Sequence, residues 1–409
     1  MLDYVKWRGD LSFRTEPFNE VDNLLFAQLI YAEMDHILKP PDKISIAELH
    51  NRFFQNVLGK PEDFRSFGKD GVFVLRAIGR SDRFKDCIVY NYENKLHADT
   101  TEQFSAMMID LPDKTTVVCF KGTDEHMIGW KEDCYLSYKD IAGQSDAVDY
   151  VNRNCSPLKK YRLIGHSKGG NLAVYAAVHC KAVLRHSIIQ VISDDGPGLR
   201  GGSYEQERYD LIKDKYQLIV PEKDAIGTIY EMAPSRIIAH IATKNIIEAH
   251  GMMTWQVMGK KIVAADADSF QTDRTRKAIL QFLKDTTPEQ REIFVEEMFK
   301  AFDDAGITTV MQLASGGLPV IARVIKELSE MDGIAKNIAV KLAKMLSISV
   351  SSGLYKAYTE GKETIRNKAS GVSSNIGSFI DERMSPFGYR KKQDASAAGK
   401  EETEENKTE

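Results

Sequence analysis

The segment Leu163-Ile164-Gly165-His166-Ser167-Lys168-Gly169-Gly170-Asn171 sets a serine between two glycines, after an apolar run and before an amphipathic helical pattern. Gly-x-Ser-x-Gly in that setting is what a nucleophile elbow requires. The turn from strand to helix leaves little room for neighbouring side chains, lifts the hydroxyl above the sheet and aims the next backbone N–H at a developing oxyanion. A serine hydroxyl is a weak nucleophile and needs a histidine held by a carboxylate. Behind such an elbow the acid and then the histidine follow later in the chain. His240 lies in an alternating, strand-like run over residues 236–242, where a structural histidine is expected. His250 lies in the loop Ala249-His250-Gly251-Met252 and is the expected base.

Two acids compete. Asp224 follows the apolar run 216–220 through Pro221-Glu222-Lys223, the strand-end position of a triad acid, and is preferred. Asp195 ends the preceding strand in Ser193-Asp194-Asp195-Gly196-Pro197-Gly198 and is expected to shape the pocket wall as a substrate contact, or simply to form a turn. One oxyanion donor is the backbone N–H of Lys168. The other is expected at Thr123, where Phe120-Lys121-Gly122-Thr123 ends a buried strand: the glycine allows close backbone approach, and Thr123 offers both N–H and O–H. Lys168 either favours a substrate with an anionic group or points to solvent. Trp130, Tyr135 and Tyr138 follow the oxyanion segment, and either line an acyl entrance or pack in the core.

Elements must hold these residues in place. Residues 21–36 and 46–58 have helical periodicity; 72–78, 87–90 and 104–109 look like strands between polar turns. Apolar runs at 115–120, 161–165, 187–192 and 216–220 alternate with helical patterns at 171–180 and 204–213. Near-continuous apolar strands alternating with helices predict an α/β fold with a mostly parallel sheet covered on both faces. Beyond about residue 270 the pattern is helical, at 274–283, 289–302, 318–328 and 334–349. Residues 390–409 have almost no large apolar side chain and read as a solvated, disordered tail.

Composition narrows the function. Of 409 residues, 43% are hydrophobic and 28% charged, as in ordinary globular chains. Lys+Arg 55 against Asp+Glu 59 gives a net charge of −4, too balanced for nucleic acid as the main partner. The five cysteines form no C-x-x-C pair, which predicts a reducing compartment without disulfides or a zinc site. The N-terminus has no signal-peptide pattern, and residues 307–322 fall short of the ~20 apolar residues a bilayer span needs. A cytoplasmic protein is expected.

Phe120-Lys121-Gly122-Thr123 followed by Gly165-His166-Ser167-Lys168-Gly169-Gly170 resembles the F-R-G-T and G-H-S-L-G-G pair of class 3 (fungal triacylglycerol) lipases. The Asp224-Ala225-Ile226-Gly227 loop is similar to their acid-bearing stretch. Residues 1 to about 260 resemble more closely the bacterial Mbeg-like branch of that superfamily, through Trp7-Arg8-Gly9-Asp10-Leu11, Phe18-Asn19-Glu20-Val21-Asp22, Gly129-Trp130-Lys131-Glu132-Asp133, Asp195-Gly196-Pro197-Gly198 and His250 with Trp255-Gln256-Val257. The resemblance implies an α/β-hydrolase carrying Ser167, Asp224 and His250, with oxyanion contacts at Thr123 and Lys168. Lys121 and Lys168 depart from the lipase pattern, which has arginine and an apolar residue there.

Residues 1–270 are therefore expected to form a lipase-like hydrolase domain, 271–389 a helical region and 390–409 a tail. The expected function is a cofactor-free and metal-free serine ester hydrolase acting on an acyl, lipid-type ester. Alternatives are an acyl thioesterase or a non-catalytic hydrolase-fold binding module. Residues 323–368 carry nine Lys/Arg against five Asp/Glu, with Ile334, Ile338, Leu342, Met345 and Ile348 on one helical face. Such a helix can dock on an anionic membrane surface or pack on the hydrolase body.

Overall fold

The computed structural model describes residues 1–56, 68–243, 246–268 and 270–310, with scattered positions from 312 to 338. About half of the expected helix at 318–328, most of that at 334–349, most of the basic stretch 323–368 and the tail 390–409 lie outside the described residues.

Eight strands form one sheet in chain order: β1 (Lys43–Ser45), β2 (Ile88–His97), β3 (Glu102–Asp110), β4 (Thr115–Phe120), β5 (Lys160–His166), β6 (Ile188–Asp194), β7 (Tyr216–Pro221) and β8 (Arg236–Ala239). Pairing is antiparallel from β1 to β4 and parallel from β4 to β8. From β2 onward the connections set that division. The segments 98–101 and 111–114 are short turns, whereas parallel neighbours need a crossover. A small hairpin, β9 (Val257–Met258) with β10 (Lys261–Ile262), follows.

The helices are α1 (Leu2–Arg8), α2 (Glu20–Leu29), α3 (Ile46–Asn56), α4 (Lys69–Ile78), α5 (Met127–Tyr135), α6 (Ala142–Asn154), α7 (Lys168–His179), α8 (Ala182–Arg185), α9 (Gln206–Asp210), α10 (Ile246–Ala249), α11 (Phe270–Asp285) and α12 (Pro288–Asp304). Because the parallel strands advance in one direction, right-handed crossovers send their helices to one face of the sheet. Leu172 and Ala176 of α7 and Tyr150 of α6 pack there against Phe104, Val118, Phe120, Leu163 and Val191. The alternate residues Met107, Val117, Cys119, Ile164 and Ile192 face the other side. That side is covered by the N-terminal helices through Leu24, Leu25, Val72 and Leu75. The capping box Asn19/Asp22 starts α2, with Asn19 Oδ1 accepting from Val21 N at 3.0 Å.

One expected strand is a helix. Residues 72–78 belong to α4, whose buried positions Gly71, Val74, Leu75 and Ile78 recur at helical intervals. A short run rich in β-branched residues does not by itself separate strand from buried helix. Packing decided it: a Cβ at Gly71 would lie 2.4 Å from Ala32 N, so α4 crosses against the end of α2 at backbone contact.

Both helical patterns at 274–283 and 289–302 are helices, α11 and α12. Val295 and Phe299 of α12 join the core on the α7 face. The chain beyond α12 returns to the segment that follows β4, where Met127 N donates to Thr308 O and Val310 N to Glu125 O, both at 2.9 Å.

Candidate active site

Ser167 sits where β5 ends and α7 begins, with φ 58° and ψ −128°. A non-glycine residue at positive φ stores strain and persists only where the surroundings enforce it. The enforcement is visible. A Cβ at Gly169 would lie 2.2 Å from Phe120 O, and one at Gly165 would lie 2.3 Å from the Gly169 carbonyl, so both glycines are required by close approach. Ser167 N donates to Asp194 O at 2.8 Å, tying the turn to the end of β6. The N–H of Lys168 belongs to the first turn of α7, where the helix itself offers amides no acceptor.

His250 lies in the loop after α10, its side chain 28% accessible. Its Nδ1 lies 2.8 Å from Asp224 Oδ2 and 2.7 Å from Asp195 Oδ2. Asp195 thus differs from its expected place on a pocket wall: it is fully buried and bonded to the histidine. Its backbone at φ 53° turns the side chain inward, and Asp195 N donates to Ile219 O at 2.7 Å. Asp224 is positioned by Ala225 N and Ile226 N, which donate to its Oδ1 at 2.5 and 3.1 Å. Burial opposes charge on all three groups. Burial and the charge of Asp224 push the Asp195 carboxyl up. The hydrogen bond and charge of His250 outweigh burial at Asp224 and hold it down. The two carboxylates likewise outweigh burial at His250 and raise it.

Asp195, Asp224 and His250 are also, among the described residues, a group that could hold a metal ion, with ligand atoms within 4.8 Å of one another. Both oxygens lie at hydrogen-bond distance from the same Nδ1, whose single hydrogen can serve only one of them fully.

A second network, missed from the sequence, joins the Gly122 turn after β4 to the elbow and the histidine loop. Gly122 N donates to the buried Tyr31 hydroxyl at 3.1 Å, and that hydroxyl lies 3.0 Å from His166 Nδ1. His166 Nε2 lies 2.8 Å from the His250 carbonyl oxygen. A carbonyl only accepts, so Nε2 carries the proton and Nδ1 accepts from Tyr31. Burial, then the charge of His250, drives the His166 imidazole down to about 3. The histidine beside the serine was the available signal, but its partner lies far upstream at Tyr31.

Thr123 Oγ1 donates to Asp133 Oδ2 at 2.6 Å, and burial raises the Asp133 carboxyl to about 6. Lys168 neither reaches solvent nor offers a free cation. Its Nζ lies 2.7 Å from Glu132 Oε2, and both side chains have 0% exposure. Lys121 pairs with Asp124 at 2.8 Å. Tyr135 and Tyr138 pack in the core, whereas Trp130 is 42% exposed and its indole N–H donates to Asp124 O at 2.9 Å. His240 pairs with Glu222, its Nδ1 2.8 Å from Glu222 Oε1, and makes no ion pair with Asp195 or Asp224 among the described residues. A cleft of about 350 Å³ lies elsewhere, bounded by Phe18, Gln190, Gln217 and Lys260, and includes none of the expected site residues.

The mostly parallel sheet with helices on both faces and a serine elbow between β5 and α7 is an α/β-hydrolase fold. No helix among the described residues is long and apolar enough to cross a membrane. No curated protein matches the chain. Among solved structures, M37 lipase is similar at 14% identity over 62% of this chain and 84% of its own, with a TM-score of 0.33. A family model described as Mbeg1-like matches residues 78–300, more than half of the chain, and the protein belongs to the Mbeg1-like family.

Proposed function

We propose that the protein is a serine ester hydrolase of lipase or esterase type, acting on an acyl ester of lipid character. The observation that carries this reading is the strained Ser167 at φ 58° on the strand-to-helix turn, with a carboxylate-held histidine at the same sheet end. The His250 and His166 rings lie 4.6 Å apart, and His166 directly precedes Ser167.

In this reading Ser167 Oγ attacks the acyl carbonyl while His250 Nε2 takes its proton. Asp224 holds Nδ1–H and stabilises the imidazolium that forms. The backbone N–H groups of Thr123 and Lys168 receive the oxyanion. Collapse breaks the C–O bond, and the leaving alcohol takes the proton from His250. Water then gives a proton to His250 and its oxygen to the acyl carbon; Ser167 recovers the proton as the carboxylic acid leaves. The residues use no metal or organic cofactor in these steps. Exposed Trp130 borders the oxyanion segment, where it can meet an acyl chain. Residues 1–270 are the hydrolase unit in this reading.

The test is labelling of the full-length protein with a fluorophosphonate, beside hydrolysis of a series of acyl esters and the matching thioesters. Labelling and ester turnover that both vanish in Ser167→Ala support the reading. Preference for thioesters moves the substrate class. A wild type that neither labels nor turns over makes the fold a non-catalytic binding module.

A further inference from the structure

Asp195 and Asp224 reach the same nitrogen of His250, and both are largely or fully removed from solvent. A neutral imidazole protonated at Nδ1 has one hydrogen there, and one hydrogen makes one strong linear bond. Two buried carboxylates at one position repel each other strongly enough that a single proton is shared between them.

The backbone decides which acid keeps the charge. Asp224 Oδ1 accepts from two amides, Ala225 N and Ile226 N. Asp195 Oδ1 accepts from one, Gly227 N at 2.9 Å. Amide donors favour the ionised form, so the charge rests on Asp224 and the proton on Asp195. That close approach is built in, because a Cβ at Gly227 would lie 2.6 Å from Asp195 Oδ1.

We propose that Asp195 is a second acid partner of His250, forming with Asp224 a dyad in which either carboxylate alone can orient the imidazole. The proposal rests on the serine-hydrolase reading above and makes Asp195 a positioning residue acting through His250. With one shared proton the dyad and neutral His250 carry a single negative charge. The proton taken from Ser167 then brings the three groups to zero, with no second buried anion left over. When Asp224 loses its charge, the repulsion that keeps Asp195 protonated disappears; Asp195 ionises and accepts from Nδ1–H.

The other titratable groups near this cluster are the same in every variant. His166 on β5 donates to the His250 carbonyl, and Asp133 on α5 is held by Thr123 with the charge of Lys168 nearby. Asparagine is the proper probe at Asp195, since it tolerates the left-handed backbone there better than alanine.

The experiment compares full-length wild type, Asp195→Asn, Asp224→Asn and the double variant, each checked for folding by thermal unfolding. Fluorophosphonate labelling rate and ester hydrolysis are read across the pH range in which histidine and carboxyl groups titrate. Asp195→Asn should lose less than about tenfold, the scale of one altered hydrogen bond, because the amide mimics the protonated acid. Asp224→Asn should recover toward wild type as pH rises and Asp195 ionises. The double variant should fall on the order of 10⁴-fold with no such recovery. Asp224→Asn as impaired as the double variant at every pH overturns the dyad, as does Asp195→Asn as impaired as the double. Absent labelling and turnover in the wild type, with all variants folded, overturns the hydrolase reading itself.

Discussion

Removing one charge of the Glu132–Lys168 pair should destabilise the fold far more than removing both. Glu132 receives three donors: Lys168 Nζ at 2.7 Å and Gln103 N at 3.1 Å on Oε2, and Gly143 N at 3.0 Å on Oε1. One carboxylate therefore binds α5, the start of β3, the start of α6 and the first residue of α7. Lys168→Met leaves a fully buried carboxylate facing two amides and no cation. Glu132→Gln turns an NH2 group toward donors wherever the amide is placed. Breaking a buried pair in this way costs about 3–5 kcal/mol, whereas a neutral replacement of both partners is often close to neutral. At about 2–4 °C per kcal/mol for a domain of this size, each single variant should melt roughly 10 °C below wild type. The double variant Lys168→Met/Glu132→Gln should recover a large part of that loss. Urea unfolding of the four proteins gives the coupling energy directly. Single variants within about 1 kcal/mol of wild type would refute the reasoning, since that is the value of an exposed pair.

Two further outcomes are expected. Tyr31→Phe removes the hydroxyl between Gly122 N and His166 Nδ1, leaving a buried donor and a buried acceptor without partners. It should cost about 1–3 kcal/mol by urea unfolding, and ester turnover should fall as the oxyanion segment loosens; unchanged stability would remove the network. The second concerns acid. His166 titrates at about 3 in the fold against 6.5 unfolded. The unfolded chain therefore binds the extra proton first, so this contribution to stability is complete above pH 6.5 and is lost as pH falls toward 3. The stability of wild type should fall more steeply over that window than that of His166→Asn, by up to about 1.4 kcal/mol per pH unit, and superimposable curves would contradict the assignment.

The elbow is legible in the sequence because its causes are local. Gly165 and Gly169 flank a serine between an apolar run and a helical pattern, and turn chemistry acts over a few residues. Strands β3 to β7 are legible for the same reason, as apolar runs bounded by polar turns. Segment 72–78 is not, because a short apolar run carries no period long enough to choose, and its contact with the end of α2 chose helix.

The acid illustrates the boundary between the two kinds of information. Spacing identifies Asp224 and Asp195 as strand-end carboxylates and ranks them as competitors. In the fold β6 and β7 are parallel neighbours, so both strands deliver their ends to the same edge, and both carboxylates meet one nitrogen. Lys168 can be read from the sequence only as a cation beside a nucleophile; its partner Glu132 is on a helix reached from another strand. Tyr31 joins the site from just beyond α2 because the N-terminal helices cover the sheet face that the right-handed crossovers leave bare. Residue types and turns are written in neighbours along the chain, but hydrogen-bond partners are chosen by which strand ends and helices the sheet order brings together.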